Sequence, residues 1–79
     1  MNHDIPDELA ALPISVVKDL TSLSARQIRY YEKHGLIKPA RNAANRRVYT
    51  MKDINRLKEV KKLIDKGINI AGIKAMLKS

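Results

Sequence analysis

Twice in this chain a hydroxyl residue stands three places ahead of a side chain able to reach back to it, and each time a glycine follows further along. Ser24-Ala-Arg-Gln27 leads to Gly35, and Thr50-Met-Lys-Asp53 leads to Gly67. A hydroxyl at the first position accepts from the backbone N–H three residues on, and the fourth side chain returns the bond. Glycine supplies the left-handed residue that ends a helix. The pattern therefore predicts two helices marked at both ends, and a stretch between them that is something else.

Around this pair the remaining segments fall into place. In residues 4–12, Asp4, Pro6, Asp7 and Glu8 suit a helix start, Ile5, Leu9 and Leu12 share one side, and Pro13 ends it. Ser15 is the expected cap of the next short helix, with Val16, Val17 and Leu20 facing inward, and Ser22-Leu23 turns the chain into the helix that Ser24 opens. Lys38-Pro-Ala-Arg41 and Arg46-Arg-Val-Tyr49 flank the turn-prone Asn42-Ala-Ala-Asn45, which reads as a two-stranded hairpin. The helix from Thr50 shows a stripe of Ile54, Leu57, Val60, Lys61 and Ile64, with Lys61 as its polar member. Asn69 caps a last helix with Ile70, Ile73, Met76 and Leu77 on one side. The expected order is helix, helix, turn, helix, hairpin, helix, helix: a mainly α chain with a helix-turn-helix and a short two-stranded β-hairpin wing. Residues 1–13 form an amphipathic segment and residues 14–79 the domain proper.

A core made from 79 residues with three tyrosines and no Phe or Trp is modest, so a second copy is a plausible source of stability. The absence of cysteine removes disulfides and thiolate metal sites. His3 and His34 are too few and too separated for a metal cluster, so no metal and no cofactor is expected. No apolar run reaches the roughly 20 residues of a membrane span and no signal peptide opens the chain, which suggests a soluble cytoplasmic protein without a membrane partner. The acidic residues are scattered among basic neighbours and the hydroxyls lie at caps, so an enzyme is not expected. Charge is the strongest bulk signal: 16 Lys and Arg against 8 Asp and Glu give +8. A polyanion is the natural partner, and composition alone does not choose between DNA, RNA and an acidic membrane.

The helix after Ser24 narrows that choice. With residues placed at about 100° intervals, Ala25, Ile28 and Tyr31 centre near 300°, while Arg26, Arg29, Tyr30 and Lys33 centre near 90°. One face packs inward; the other offers two guanidiniums, a phenol and an ammonium. A helix of that width fits the major groove, and Arg against guanine is the commonest base-specific contact. The candidate recognition-helix contacts are Ser24, Arg26, Gln27, Arg29, Tyr30 and Lys33. A basic face alone is also what an ordinary solvated helix shows. The hairpin adds weight to the DNA reading. Arg41, Asn45, Arg46, Arg47 and Tyr49 are its candidate contacts, and strand alternation predicts Val48 turned to the core with Arg47 and Tyr49 projecting together on the other side. Tyr31 is expected in the core, Glu32 beside Arg29, and His34 at the helix end. Lys58, Lys61, Lys62 and Lys66 read as a solvated face.

Ser24-Ala-Arg-Gln-Ile-Arg-Tyr-Tyr-Glu32, Gly35-Leu-Ile-Lys-Pro39, Arg47-Val-Tyr49 and Gly67-Ile-Asn-Ile-Ala-Gly-Ile-Lys74 together resemble the DNA-binding domain of MerR-family transcription regulators over residues 14–78. Within the family, Thr21 to Glu32 and Arg46-Arg47 are most similar to the branch that represses glutamine synthetase genes in nitrogen control. The resemblance implies a winged helix-turn-helix that binds double-stranded DNA at inverted-repeat operators as a homodimer. It makes Arg26, Arg29 and Tyr30 recognition contacts and Arg47 and Tyr49 wing contacts. Most of the family dimerises through a long C-terminal coiled coil, and this sequence stops at Ser79 before such a segment. In the nitrogen branch a tail beyond this point answers to glutamine synthetase, and pairing through the N-terminal segment assigns dimerisation to Ile5, Leu9 and Leu12; an unstructured leader is the other reading of that stretch. Three further readings remain at this point: another MerR-type regulator with a different regulon, a module docking on glutamine synthetase, and an RNA or nucleoid binder without sequence preference.

Overall fold

The computed structural model describes residues 11–78. Four helices and one hairpin follow in order: α1 Ile14–Thr21, α2 Ala25–Lys33, β1 Ala40–Arg41, β2 Arg47–Val48, α3 Met51–Asp65 and α4 Ile70–Leu77. The mainly helical class with a small two-stranded wing matches the expectation. The expected helix over residues 4–12 lies almost wholly outside the described residues. Its last member, Leu12, is extended and bridges Tyr49 in both directions, with N···O distances of 2.8 Å each way.

The capping signals act where the sequence places them. Ser24 Oγ accepts from Gln27 N–H at 3.1 Å while Gln27 Oε1 accepts from Ser24 N–H at 2.9 Å. Thr50 and Asp53 make the same reciprocal pair, and Asn69 accepts from Gly72 N–H. Gly35 and Gly67 take φ of 77° and 87°, the left-handed region that a side chain would resist. α1 is the exception. Its cap is Pro13, not Ser15, and no side chain closes it. Pro13 starts this helix rather than merely stopping an earlier one, because its fixed φ suits a helix entrance and its missing N–H costs nothing there.

α1 and α2 form the helix-turn-helix. Ser22 bends the chain in the left-handed region, with its N–H on the Lys18 carbonyl at 2.8 Å. Thr21 is buried and its hydroxyl donates to the Val17 carbonyl at 2.7 Å, so this buried polar side chain is satisfied within its own helix. The core joins Val17 and Leu23 to Ile28 and Tyr31 of α2, and to Ile54, Leu57, Val60 and Leu63 of α3, with Ile73 closing it from α4. Three stripes differ from expectation. On α3, Leu63 is buried and Lys61 lies at the margin, half-buried, because a lysine stem can cover apolar surface while its charge stays in water. Leu20 and Met76, expected inside, are 44% and 53% exposed, each being one residue past the arc that α1 and α4 present to the core.

Candidate nucleic-acid interface

On α2 the amphipathic split is complete. Ile28 and Tyr31 are buried, whereas Arg26, Gln27, Arg29, Tyr30 and Lys33 are exposed, as is the cap residue Ser24. The capping box occupies the Gln27 oxygen and leaves its amide NH2 on the exposed surface. Tyr30 is braced from one turn ahead: the His34 ring meets it edge-on with centroids 4.4 Å apart. His34 is the residue that ends the helix, its N–H on the Tyr30 carbonyl. The Tyr31 phenol titrates above its usual 10.0, mainly because it is buried and also because of the Asp65 carboxylate. A ring with that surrounding is a core ring, as the sequence suggested.

The wing is small and tightly specified. Ala40 pairs with Val48 and Arg41 with Arg47. Asn42 organises the turn, its side-chain oxygen accepting from the N–H of Ala44 at 2.9 Å and of Arg46 at 3.0 Å. Asn45 takes φ of 61°, a conformation that asparagine tolerates better than most side chains, and its carbonyl accepts from Arg41 at 3.0 Å. Asn45 thus shapes the turn through its backbone.

Two expectations change here. Glu32 pairs with Arg47 of the wing, Nε to Oε1 at 2.6 Å, rather than lying against Arg29 on its own helix. Both side chains keep part of their surface in solvent, so the pair is worth about 1 kcal/mol or less. Tyr49 does not project outward with Arg47: it is fully buried. The alternation itself holds, since residues 47 and 49 share a face. That face looks onto α2, because the Leu12 bridge and the Glu32 pair hold the strand from either side. The Tyr49 hydroxyl has no hydrogen-bond partner among the described residues. Its pKa is raised, first by burial and then by the Glu32 carboxylate, against the lowering influence of Arg47 and Arg29.

α2 and the wing meet. Arg29, Arg41, Asn45, Arg46, Arg47 and Tyr49 line one open cavity of about 380 Å³, together with Pro13 and Ile14 at the start of α1. Arg26, Gln27, Tyr30 and Lys33 lie on α2 outside that cavity. Sequence reasoning missed Glu32 as a link to the wing, and Pro13-Ile14 as part of the site. The open start of α1 was legible in principle, from a proline followed directly by Ile-Ser-Val-Val. The expected dimerisation residues divide: Ile5 and Leu9 lie outside the described residues, and Leu12 packs half-buried against the core of its own chain. Among the described residues no helix is long and apolar enough to cross a membrane, and no His/Asp/Glu group has the arrangement to hold a metal ion.

Comparison with known proteins supplies the family. The sequence model described as MerR HTH family regulatory protein matches residues 12–79. The chain is similar to the HTH-type transcriptional regulator GlnR of Bacillus anthracis, with 55% identity over 65 residues, 82% of this chain and 50% of that protein. It is similar to the HTH-type transcriptional regulator TnrA of Bacillus subtilis, 38% identical over 72 residues, 91% of this chain and 64% of that one. A putative heat shock protein HspR of Streptomyces coelicolor is 36% identical over 76 residues, 95% of this chain and 50% of that protein. The chain spans about half the length of GlnR and HspR and about two thirds of TnrA.

Proposed function

This chain belongs to the MerR family of helix-turn-helix regulatory proteins, and from that premise we propose that it binds duplex DNA sequence-specifically, as one half of a dimer on an inverted repeat, and represses nitrogen-assimilation genes. The observation that carries the DNA reading is the meeting of two basic surfaces that belong to separate elements, with Arg29 of α2 and three wing arginines around one opening. α2 enters the major groove with Arg26 and Arg29 as base readers, Tyr30 and Lys33 beside them, and Ser24 and Gln27 at the helix start where backbone phosphates pass. The wing lies along the neighbouring backbone, with Arg41, Arg46 and Arg47 as phosphate contacts. Tyr49 supports the wing from beneath. The nitrogen assignment rests on the likeness to GlnR and TnrA, and the dimer on the symmetry such operators require.

Selection of bound sites from a pool of random duplexes tests this reading. An inverted repeat should be enriched, and its duplex should be preferred over bulk RNA by about a thousandfold or more at moderate salt. Recovery of no motif, or equal affinity for RNA, overturns it.

A further inference from the structure

We propose that the cavity where the start of α1, the recognition helix and the wing meet is a seat for a single phosphate group. Four features converge on it. The first is the open N-terminus of α1: with Pro13 as its cap there is no side-chain acceptor and no acidic residue in the first turn. Helix geometry leaves the N–H groups of Ile14 and Ser15 without an intrahelical acceptor, a positive end that favours an anion.

The second feature is a pairing that works against the hairpin. Arg41 and Arg47 stand directly opposite one another across the strands, and like charges at such a position repel. An anion between them reverses the sign of that interaction. Third, Glu32 takes the Nε side of Arg47. That contact fixes the guanidinium and leaves its terminal nitrogens for a second partner, the fork geometry that suits phosphate.

The fourth is Tyr49. A fully buried phenol whose hydroxyl has no partner is rare in folded proteins and unfavourable for stability. Tyr49 lines this cavity, and Arg29 and Arg47 are the cations whose charge reaches its hydroxyl. An anion held between Arg41 and Arg47 arrives beside that hydroxyl, which lacks an acceptor among the described residues. The volume, about 380 Å³, is room for roughly a dozen waters, which accommodates a phosphate together with an adjoining sugar. A backbone phosphodiester and free inorganic phosphate share the chemistry the seat requires. The duplex source rests on the DNA-binding reading above; the free-phosphate source does not.

The test follows 1H–15N spectra of the whole chain during titration with inorganic phosphate, against chloride at matched ionic strength. Saturable shifts are expected at the Ile14 amide and at the Arg41 and Arg47 side chains, in the millimolar range expected of a small ion on the order of 4 kcal/mol. Tyr49→Phe should melt no lower than the unmodified protein and bind phosphate about tenfold more weakly, the loss expected of one hydrogen bond to a charged group. The exposed Arg41→Ala, which leaves the core untouched, should weaken phosphate by a similar factor. Shifts that chloride reproduces, or phosphate binding unchanged in both variants, overturn the seat. In the second arm, the selected duplex carries a neutral methylphosphonate at one position at a time. One position per half-site should cost the unmodified protein clearly more affinity than it costs Arg41→Ala. If no duplex is bound specifically, the DNA reading fails and the phosphate titration still judges the seat. If DNA is bound and the seat is empty of phosphate, with every methylphosphonate costing both proteins equally, the seat fails alone.

Discussion

The proposed recognition helix α2 and the wing carry comparable positive charge, but they are built in different ways. α2 is specified locally: a reciprocal cap at Ser24 and Gln27, a glycine after its end, and two inward residues one turn apart. The wing has two residues per strand, too few to be stable alone. It is held by contacts from distant parts of the chain, the Leu12 bridge to Tyr49 and the Glu32 pair to Arg47. A reader of bases needs a rigid element whose side chains sit at known angles. A backbone clamp needs only to be placed correctly, and tertiary contacts can do that. The difference teaches that the angle between reader and clamp is set by a few residues, Glu32 and Leu12 among them, that touch no base in the proposed complex.

The largest expected effect comes from removing what both regions share. Ile28 is fully buried beneath the recognition helix, and Ile28→Ala should destabilise the domain by about 2–5 kcal/mol. In a domain this small that is a large share of total stability, so thermal unfolding should show recognition helix and wing lost in one transition. Separate transitions would mean that the two regions are less coupled than the core implies.

Arg29→Ala and Arg46→Ala separate reader from clamp. The first should cost about 1–3 kcal/mol on the preferred duplex and flatten preference at one base pair. The second should weaken all duplexes alike and lower the salt slope by about one unit. Competition binding against single-base variants at several salt concentrations reads both, and identical profiles would erase the division of labour.

Glu32 tests the link. Glu32→Ala should change stability by about 1 kcal/mol or less, yet weaken binding to every sequence because Arg47 loses its orientation. Glu32→Gln keeps an oxygen acceptor for Arg47 and should recover most of the binding. If Glu32→Ala binds more tightly, simple charge outweighs orientation, and the pair is a restraint rather than a brace.

The smallest effect concerns alkaline pH. Tyr49 holds its proton more tightly in the folded chain than in the unfolded one, its pKa being raised above 10.0. The stabilisation this represents is fully present below pH 10 and declines above it, as the unfolded phenol ionises first and the folded pKa is then passed. The difference in denaturation midpoint between the parent and Tyr49→Phe, followed from neutral to strongly alkaline pH, should shift in favour of Phe. A constant difference would place the Tyr49 hydroxyl in a more water-like setting.

Much of this was legible from residues alone, and the reasons are particular. Ser24, Thr50 and Asn69 announce helix starts because capping is a contact over three residues. Gly35 and Gly67 announce helix ends because few residues adopt their φ. Arg26, Arg29 and Lys33 could be placed outward because the angular spacing of a helix is fixed. The failures are also particular. Alternation places Tyr49 on the same face as Arg47 but does not say which face is inner, and the structure buries it. Local spacing offers Glu32 a neighbour on its own helix, whereas its partner lies 15 residues away on the wing. Leu63 and Lys61 exchange roles on α3, because where the inward arc of a helix is centred depends on what packs against it.

What the sequence determined by itself was where α2, α3 and α4 begin, where α2 and α3 end, and that α2 shows arginines to solvent; those are short-range consequences of caps, glycines and helical spacing. Only the tertiary structure decided that the wing folds its tyrosine inward, that Glu32 reaches across to Arg47, and that four arginines surround the open start of α1. Contacts between residues distant along the chain depend on how elements pack, and packing is settled by the whole core at once rather than by any local pattern.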